Sequence, residues 1–130
     1  MIDAVNVPVQ EVAINNPVLF GATRIKTGCT VRHEQGSGRF VLLKPGVYKV
    51  TFNANIFTTA AGSAILNITQ DGEAIAGAKI KATTVAGSSV PVSVTTLLRV
   101  FCCDSAVSVV NFSTTPVSVT DANLVIDRLC

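Results

Sequence analysis

Apolar and polar positions alternate along much of this chain. From Val47 to Phe57, Tyr48, Val50, Phe52, Ala54 and Ile56 fall on one side, and Lys49, Thr51, Asn53 and Asn55 on the other. That is the period-two pattern of a half-buried β-strand. The pattern repeats with Ala64, Leu66 and Ile68 against Asn67 and Thr69, turns at Asp71-Gly72, and returns with Ala76, Ala78 and Ile80 against Lys79 and Lys81, which predicts a hairpin. Further turn signals stand at short intervals: Asn15-Asn16-Pro17, Gly36-Ser37-Gly38, Pro45-Gly46, Gly62-Ser63, Gly87-Ser88-Ser89, Cys103-Asp104-Ser105 and Ser113 to Pro116. Strands of this length and spacing predict an antiparallel sandwich or barrel of about eight to ten strands. Tyr48, Val50, Phe52, Ile56, Leu66 and Ile68 are its expected core.

The later strands depart from clean alternation. Between Pro91 and Cys103 the inward set is Val92, Val94, Thr96, Leu98, Val100 and Cys102, but Leu97 and Phe101 join the opposite face beside Ser93, Thr95 and Arg99. Likewise Val107 and Val109 are opposed by Val110 and Phe112, and Leu124 and Ile126 by Val125 and Leu129. An antiparallel sandwich normally leaves one face of each sheet to water, so apolar outer positions predict a covering protein surface. A register shift at a β-bulge is the competing explanation.

Composition narrows the classes. Val, Ile and Thr supply 43 of the 130 residues, and the chain is 48% hydrophobic but only 14% charged. β-Branched side chains suit pleated sheets and argue against helical folds. A net charge of +2 lacks the basic footprint that nucleic acid requires, and no apolar run reaches the length of a membrane-spanning helix. Met1-Ile2-Asp3 does not begin a secretory signal, so synthesis in the cytoplasm is expected. One domain is expected over residues 16–130. Residues 1–15, with Val5, Val7 and Val9, are expected to add a strand or an arm that grips a neighbour.

Candidate chemistry is sparse. Cys29, Cys102, Cys103 and Cys130 show no metal or redox spacing; they read as free, buried or semi-buried thiols, with terminal Cys130 suited to bridging chains in an oxidising medium. His33 stands alone without a nucleophile motif and reads as a turn residue. Asp71 and Glu73 occupy a hairpin tip, where Asp serves the turn and no cleft forms a glycosidase pair. Asp3, Asp104, Asp121 and Asp127 are dispersed and form no calcium loop. Gly36-x-Gly38 joins strands and cradles no phosphate. The sequon Asn67-Ile68-Thr69 carries no expectation of glycosylation. No cofactor, metal or catalytic residue is expected.

Three segments resemble a known family. Pro17-Val18-Leu19-Phe20 is followed by His33 to Phe40 with its Gly36-Ser37-Gly38 turn, and then by Leu43-Lys44-Pro45-Gly46-Val47-Tyr48-Lys49-Val50. This resembles the globular domain shared by C1q and tumour necrosis factor relatives, whose bacterial and phage members include the tip domain of spore-surface collagen-like proteins. The Asp71-Gly72 hairpin is similar to the family's middle hairpin. The ending Leu124 to Cys130 departs from the family's aromatic- and glycine-rich closing strand, and no collagen-like stem is present. The resemblance implies an all-β, ten-strand jelly roll assembled as a homotrimer, with apolar side chains along the threefold axis. Leu97, Phe101, Val110 and Phe112 are the expected axis residues, and Tyr48 is expected in the core with its hydroxyl reaching a partner near the sheet edge.

Three function classes follow. The leading expectation is a non-enzymatic structural or adhesive homotrimer of a phage virion, a capsid decoration or a head or tail fibre knob, partnered by itself and by other virion proteins. The second is a stemless bacterial surface or spore-coat module. The third is a jelly roll that binds a glycan or small ligand. A metal-dependent cupin enzyme is opposed by the single histidine.

Overall fold

The computed structural model describes residues 1–59, 62–85, 88–101 and 104–129. Among these, eleven strands and no helix form: β1 (Ile2–Asn6), β2 (Gln10–Val12), β3 (Ala22–Lys26), β4 (Val31–His33), β5 (Phe40–Leu42), β6 (Gly46–Phe57), β7 (Gly62–Gln70), β8 (Glu73–Thr84), β9 (Val90–Val100), β10 (Ser105–Asn111) and β11 (Val117–Arg128). They build two antiparallel sheets. The first has the order β3-β1-β11-β6-β9, with β2 also paired to β11; the second has the order β4-β5-β10-β7-β8. Ten strands make the two five-strand ladders of a jelly roll. The eleventh arises because the segment alongside β11 is interrupted at Val7-Pro8-Val9, leaving β1 and β2 as two pieces.

Residues 1–15 therefore enter the sheet. Ile2 and Ala4 are fully buried, β1 lies between β3 and β11, and Val5 pairs with Asn123, while Val7 and Val9 are each 63% exposed. The Gln10 side chain ties β2 to the segment before β3: its Nε2 donates to the Leu19 carbonyl at 2.7 Å, and the Leu19 amide donates to its Oε1 at 2.9 Å.

The long strand β6 buries Tyr48, Val50, Phe52, Ala54 and Ile56 against Leu66 and Ile68 of β7 and Leu124 and Ile126 of β11. Phe20 packs edge-on to Phe40 and Phe52, with ring centroids 5.4 and 6.3 Å apart. Tyr48 is fully buried, and its hydroxyl donates to the Lys44 carbonyl at 2.6 Å. Residues 71 and 72, with φ of 53° and 86°, join β7 to β8 in a two-residue hairpin whose flanking pair is Gln70 and Glu73. Positive φ at both central positions matches the twist of the strands, which is why Asp-Gly stands there.

Several expectations are corrected. Ala76 is exposed, not inward, because residues Ile75 to Ala78 bulge opposite Ile68: Asn67 pairs with Lys79, and Thr69 with Ala74. Asn67 and Thr69 are buried, not solvated, since β7 lies inside its sheet; the Asn67 amide donates to the Ile68 and Ile75 carbonyls. Cys29 is a free, exposed thiol in the β3–β4 connection, where no strand covers it. Cys102, Cys103, Cys130 and Gly87 lie outside the described residues. In β11 a bulge sits at Asp121 (φ 51°), between the pairs Thr120–Asn55 and Asn123–Asn53. It changes the strand's phase, so Val117 and Val119 before it and Ala122, Leu124 and Ile126 after it all face the core.

Gly38 tests this packing. A Cβ there would meet the Val18 carbonyl oxygen at 2.6 Å and Pro17 Cβ at 2.9 Å, whereas one at Gly62 meets nothing within 4 Å. Gly38→Ala is expected to cost about 1–3 kcal/mol of stability, and Gly62→Ala to be neutral or slightly stabilising. Urea denaturation of both variants checks this, and equal losses would contradict it.

Candidate self-association face

The register defines the outer face of the first sheet row by row. Ile25, Asp3, Val125, Thr51 and Thr95 stand side by side across β3, β1, β11, β6 and β9. The neighbouring rows are Val5, Asn123, Asn53 and Ser93 on one side and Asp127, Lys49 and Leu97 on the other. Short hydroxyl and amide side chains keep the middle of this face low, while Lys49 stands out from β6 and the Arg24 side chain from the β3 edge. Its exposed apolar members are Ile25 at its β3 edge and Leu97 at its β9 edge.

One charged cluster is built into the face. Asp3 is 8% exposed; one carboxylate oxygen accepts from Arg24 Nη1 at 2.8 Å and the other from the Asn123 amide, which also donates to the Ala4 carbonyl at 3.3 Å. These partners are far apart in sequence and meet only because β1 lies between β3 and β11. No sequence signal marked them.

The side of the sandwich closed by β8 and β9 is less complete. Both are edge strands, and Ile75, Ala82, Val90, Val92 and Val94 pack against the core while staying only partly buried. Lysines at 79 and 81 guard β8, a common protection against edge pairing. β9 has Pro91 and Arg99 at its ends and no charge between them. The alternation of Val92 and Val94 marked them as inward; their edge position was not written in the pattern.

The four expected axis residues do not converge. Leu97 is 59% exposed on the outer face of the first sheet. Phe101, just past β9, is 79% exposed, with the Arg99 guanidinium 5.6 Å from its ring centroid. Val110 belongs to the other sheet, where it pairs with Asn67 and bridges to Pro17. Phe112 follows β10, 39% exposed, its amide donating to the Ile65 carbonyl. Phe101 and Phe112 also lie at opposite ends of the sandwich. Val100 pairs with Gly46 at the start of β6, whereas Ile65 belongs to the strand that follows the end of β6.

His33 is half-buried in β4. Its ring stacks on Phe40 at 4.1 Å, with Nε2 2.7 Å from the Ser37 carbonyl oxygen and Nδ1 3.3 Å from Thr23 Oγ1. Among the described residues no three His, Cys, Asp or Glu side chains converge as a metal site.

No protein-family model and no curated protein matches the chain. Solved structures do share its fold. The globular domain of zebrafish complement 1qA is 17% identical with a TM-score of 0.65, covering 95% of this chain and 94% of that one. Murine APRIL is 10% identical with a TM-score of 0.64, covering 98% of each chain. PRD1 vertex protein P5 is 13% identical with a TM-score of 0.59, covering 99% of this chain and 96% of that one. The chain thus has the jelly-roll fold of the complement 1qA globular domain and APRIL, a fold shared by the PRD1 vertex protein.

The Asp3 cluster yields an asymmetric expectation. Asp3→Ala leaves the Asn123 amide with only its 3.3 Å bond to the Ala4 carbonyl and the Arg24 guanidinium without its carboxylate, and is expected to cost about 1–3 kcal/mol. Arg24, whose side chain is 60% exposed, is expected to cost less than about 1 kcal/mol when replaced by Ala. Chemical denaturation of the two variants measures the difference.

Proposed function

We propose that this domain is a non-enzymatic structural and adhesive homotrimer of a phage virion, a capsid decoration or the knob of a head or tail fibre, that stabilises the particle or displays a binding surface. The observation that carries the self-association is the incomplete side of the sandwich. An eleven-residue edge strand, β9, has half-covered Val90, Val92 and Val94 and ends beside exposed Leu97 and Phe101. An edge of this length and composition invites a partner unless something covers it. A second copy offers a fitting surface in the low outer face of the first sheet, whose Asn, Thr and Ser side chains let a backbone approach closely. Because the edge and the face are different patches, the contact is head-to-tail, and such a contact closes into a ring of three when successive copies are related by a threefold rotation.

Of the four axis candidates, Leu97 and Phe101 belong to this proposed interface. Val110 and Phe112, on the other sheet, are left to solvent or another partner. The fold shared with the complement 1qA domain, APRIL and the vertex protein supports an assembling, non-catalytic domain, and the vertex protein favours a virion over a spore or cell surface.

Light scattering of the purified protein is expected to return a mass near three times 13.5 kDa. A clean monomer at micromolar concentration would sink the proposal. Leu97→Lys is expected to shift the assembly to monomer, because an ammonium group placed beside Lys49 inside an interface is unpaired and costs several kcal/mol, whereas Phe112→Lys is expected to leave the mass unchanged. The opposite pattern would move the interface to the other sheet.

A further inference from the structure

The outer face of the second sheet carries a different chemistry. Strands β4 and β5 pair Arg32 with Val41 and His33 with Phe40, so Arg32 and Glu34 on one arm share the outward face with Arg39 and Val41 on the other. The hairpin beneath them is well fixed. His33 stacks on Phe40, and the Arg39 amide donates to Ser37 Oγ at 3.0 Å. Arg32, Glu34, Ser37 and Arg39 line a pocket of about 150 Å³. Among the described residues neither Arg32 nor Arg39 has an ion pair; the pair that forms is Arg24 with Asp3. Two guanidinium groups without a salt bridge outnumber the one carboxylate on this small concavity, Glu34, and leave it net positive, as the seat of a planar carboxylate requires.

Arg39 also borders a larger hollow of about 440 Å³ over β10, with Ser108 and Val110 beneath it and Pro17, Thr69 and Asp71 around it. One Asp71 oxygen accepts the Ala106 amide at 2.9 Å, and Thr69 Oγ1 donates to the Ser108 carbonyl at 3.2 Å. The hollow is open, with the Ser108 hydroxyl and the second Asp71 oxygen for sugar hydroxyls and the apolar faces of Pro17 and Val110 for a sugar ring.

We propose that this face binds an acidic oligosaccharide, with the carboxylate of one sugar seated between Arg32 and Arg39 and the adjoining sugar lying over β10. The site faces away from the surfaces assigned above to self-association, so it stands or falls independently of the oligomeric state. Isothermal titration with tetragalacturonate, a hyaluronan tetrasaccharide and sialyllactose tests it, with fully methyl-esterified tetragalacturonate and sodium sulfate as controls. At least one acidic saccharide is expected to bind. Arg39→Ala and Arg32→Ala are each expected to weaken that binding about tenfold or more, as for a lost charge-assisted hydrogen bond. Arg39→Lys should fall between wild type and Arg39→Ala, and the thermal midpoints of these surface variants should stay unchanged. The ester is expected to bind at least about tenfold more weakly than the free acid if the acid is the ligand recognised. Failure of all three acidic saccharides, equal binding by wild type and Arg39→Ala, or sulfate binding as tightly as the best saccharide would overturn the proposal.

Discussion

The structure depends on where its last strand lies. β11 runs through the middle of the first sheet, with β1 and β2 on one side and β6 on the other, so that sheet has no continuous hydrogen-bond ladder until residues 117–128 are in place. The second sheet is similar, since β10 joins β5 to β7. Each sheet therefore draws strands from distant parts of the chain, and neither the first nor the second half can cover its own apolar faces. Long loop closures must precede the contacts that reward them, which makes folding of this topology slow and highly cooperative.

That constraint also explains which parts of the fold were legible from the sequence. The alternation of Val47 to Phe57 was readable because β6 lies between two neighbours and has one face in the core along its whole length. The Asp71-Gly72 hairpin was readable because the turn requires positive φ at both positions. The bulges were not readable. Ala76 fits the alternation as written, but residues 75–78 stand opposite Ile68 alone, and only the pairing with β7 imposes this. In β11 the apolar parity changes between Val119 and Ala122, a trace of the Asp121 bulge visible once its cause is known.

The surface was less legible, for a geometric reason. Alternation distinguishes core from solvent within one strand, but it does not say to which sheet the strand belongs or whether it lies at an edge. Leu97 and Val110 each oppose a core-facing set, yet they occupy outer faces on opposite sides of the molecule. The half-covered valines of β9 look identical, in sequence, to valines at the centre of a sheet. The Asp3–Arg24–Asn123 cluster left no local trace, because its members come from three strands that meet only after both termini have joined the first sheet.

The Gln10 side chain, set against the Leu19 backbone, reaches beyond local geometry. By supplying one donor and one acceptor, the amide satisfies both backbone groups of Leu19 as a neighbouring strand would, although residue 19 belongs to no strand. The Val18 and Phe20 amides on either side donate to the Val109 and Ser37 carbonyls. Residues 18–20 therefore present no free N–H group, and a foreign strand finds no donor there to pair with.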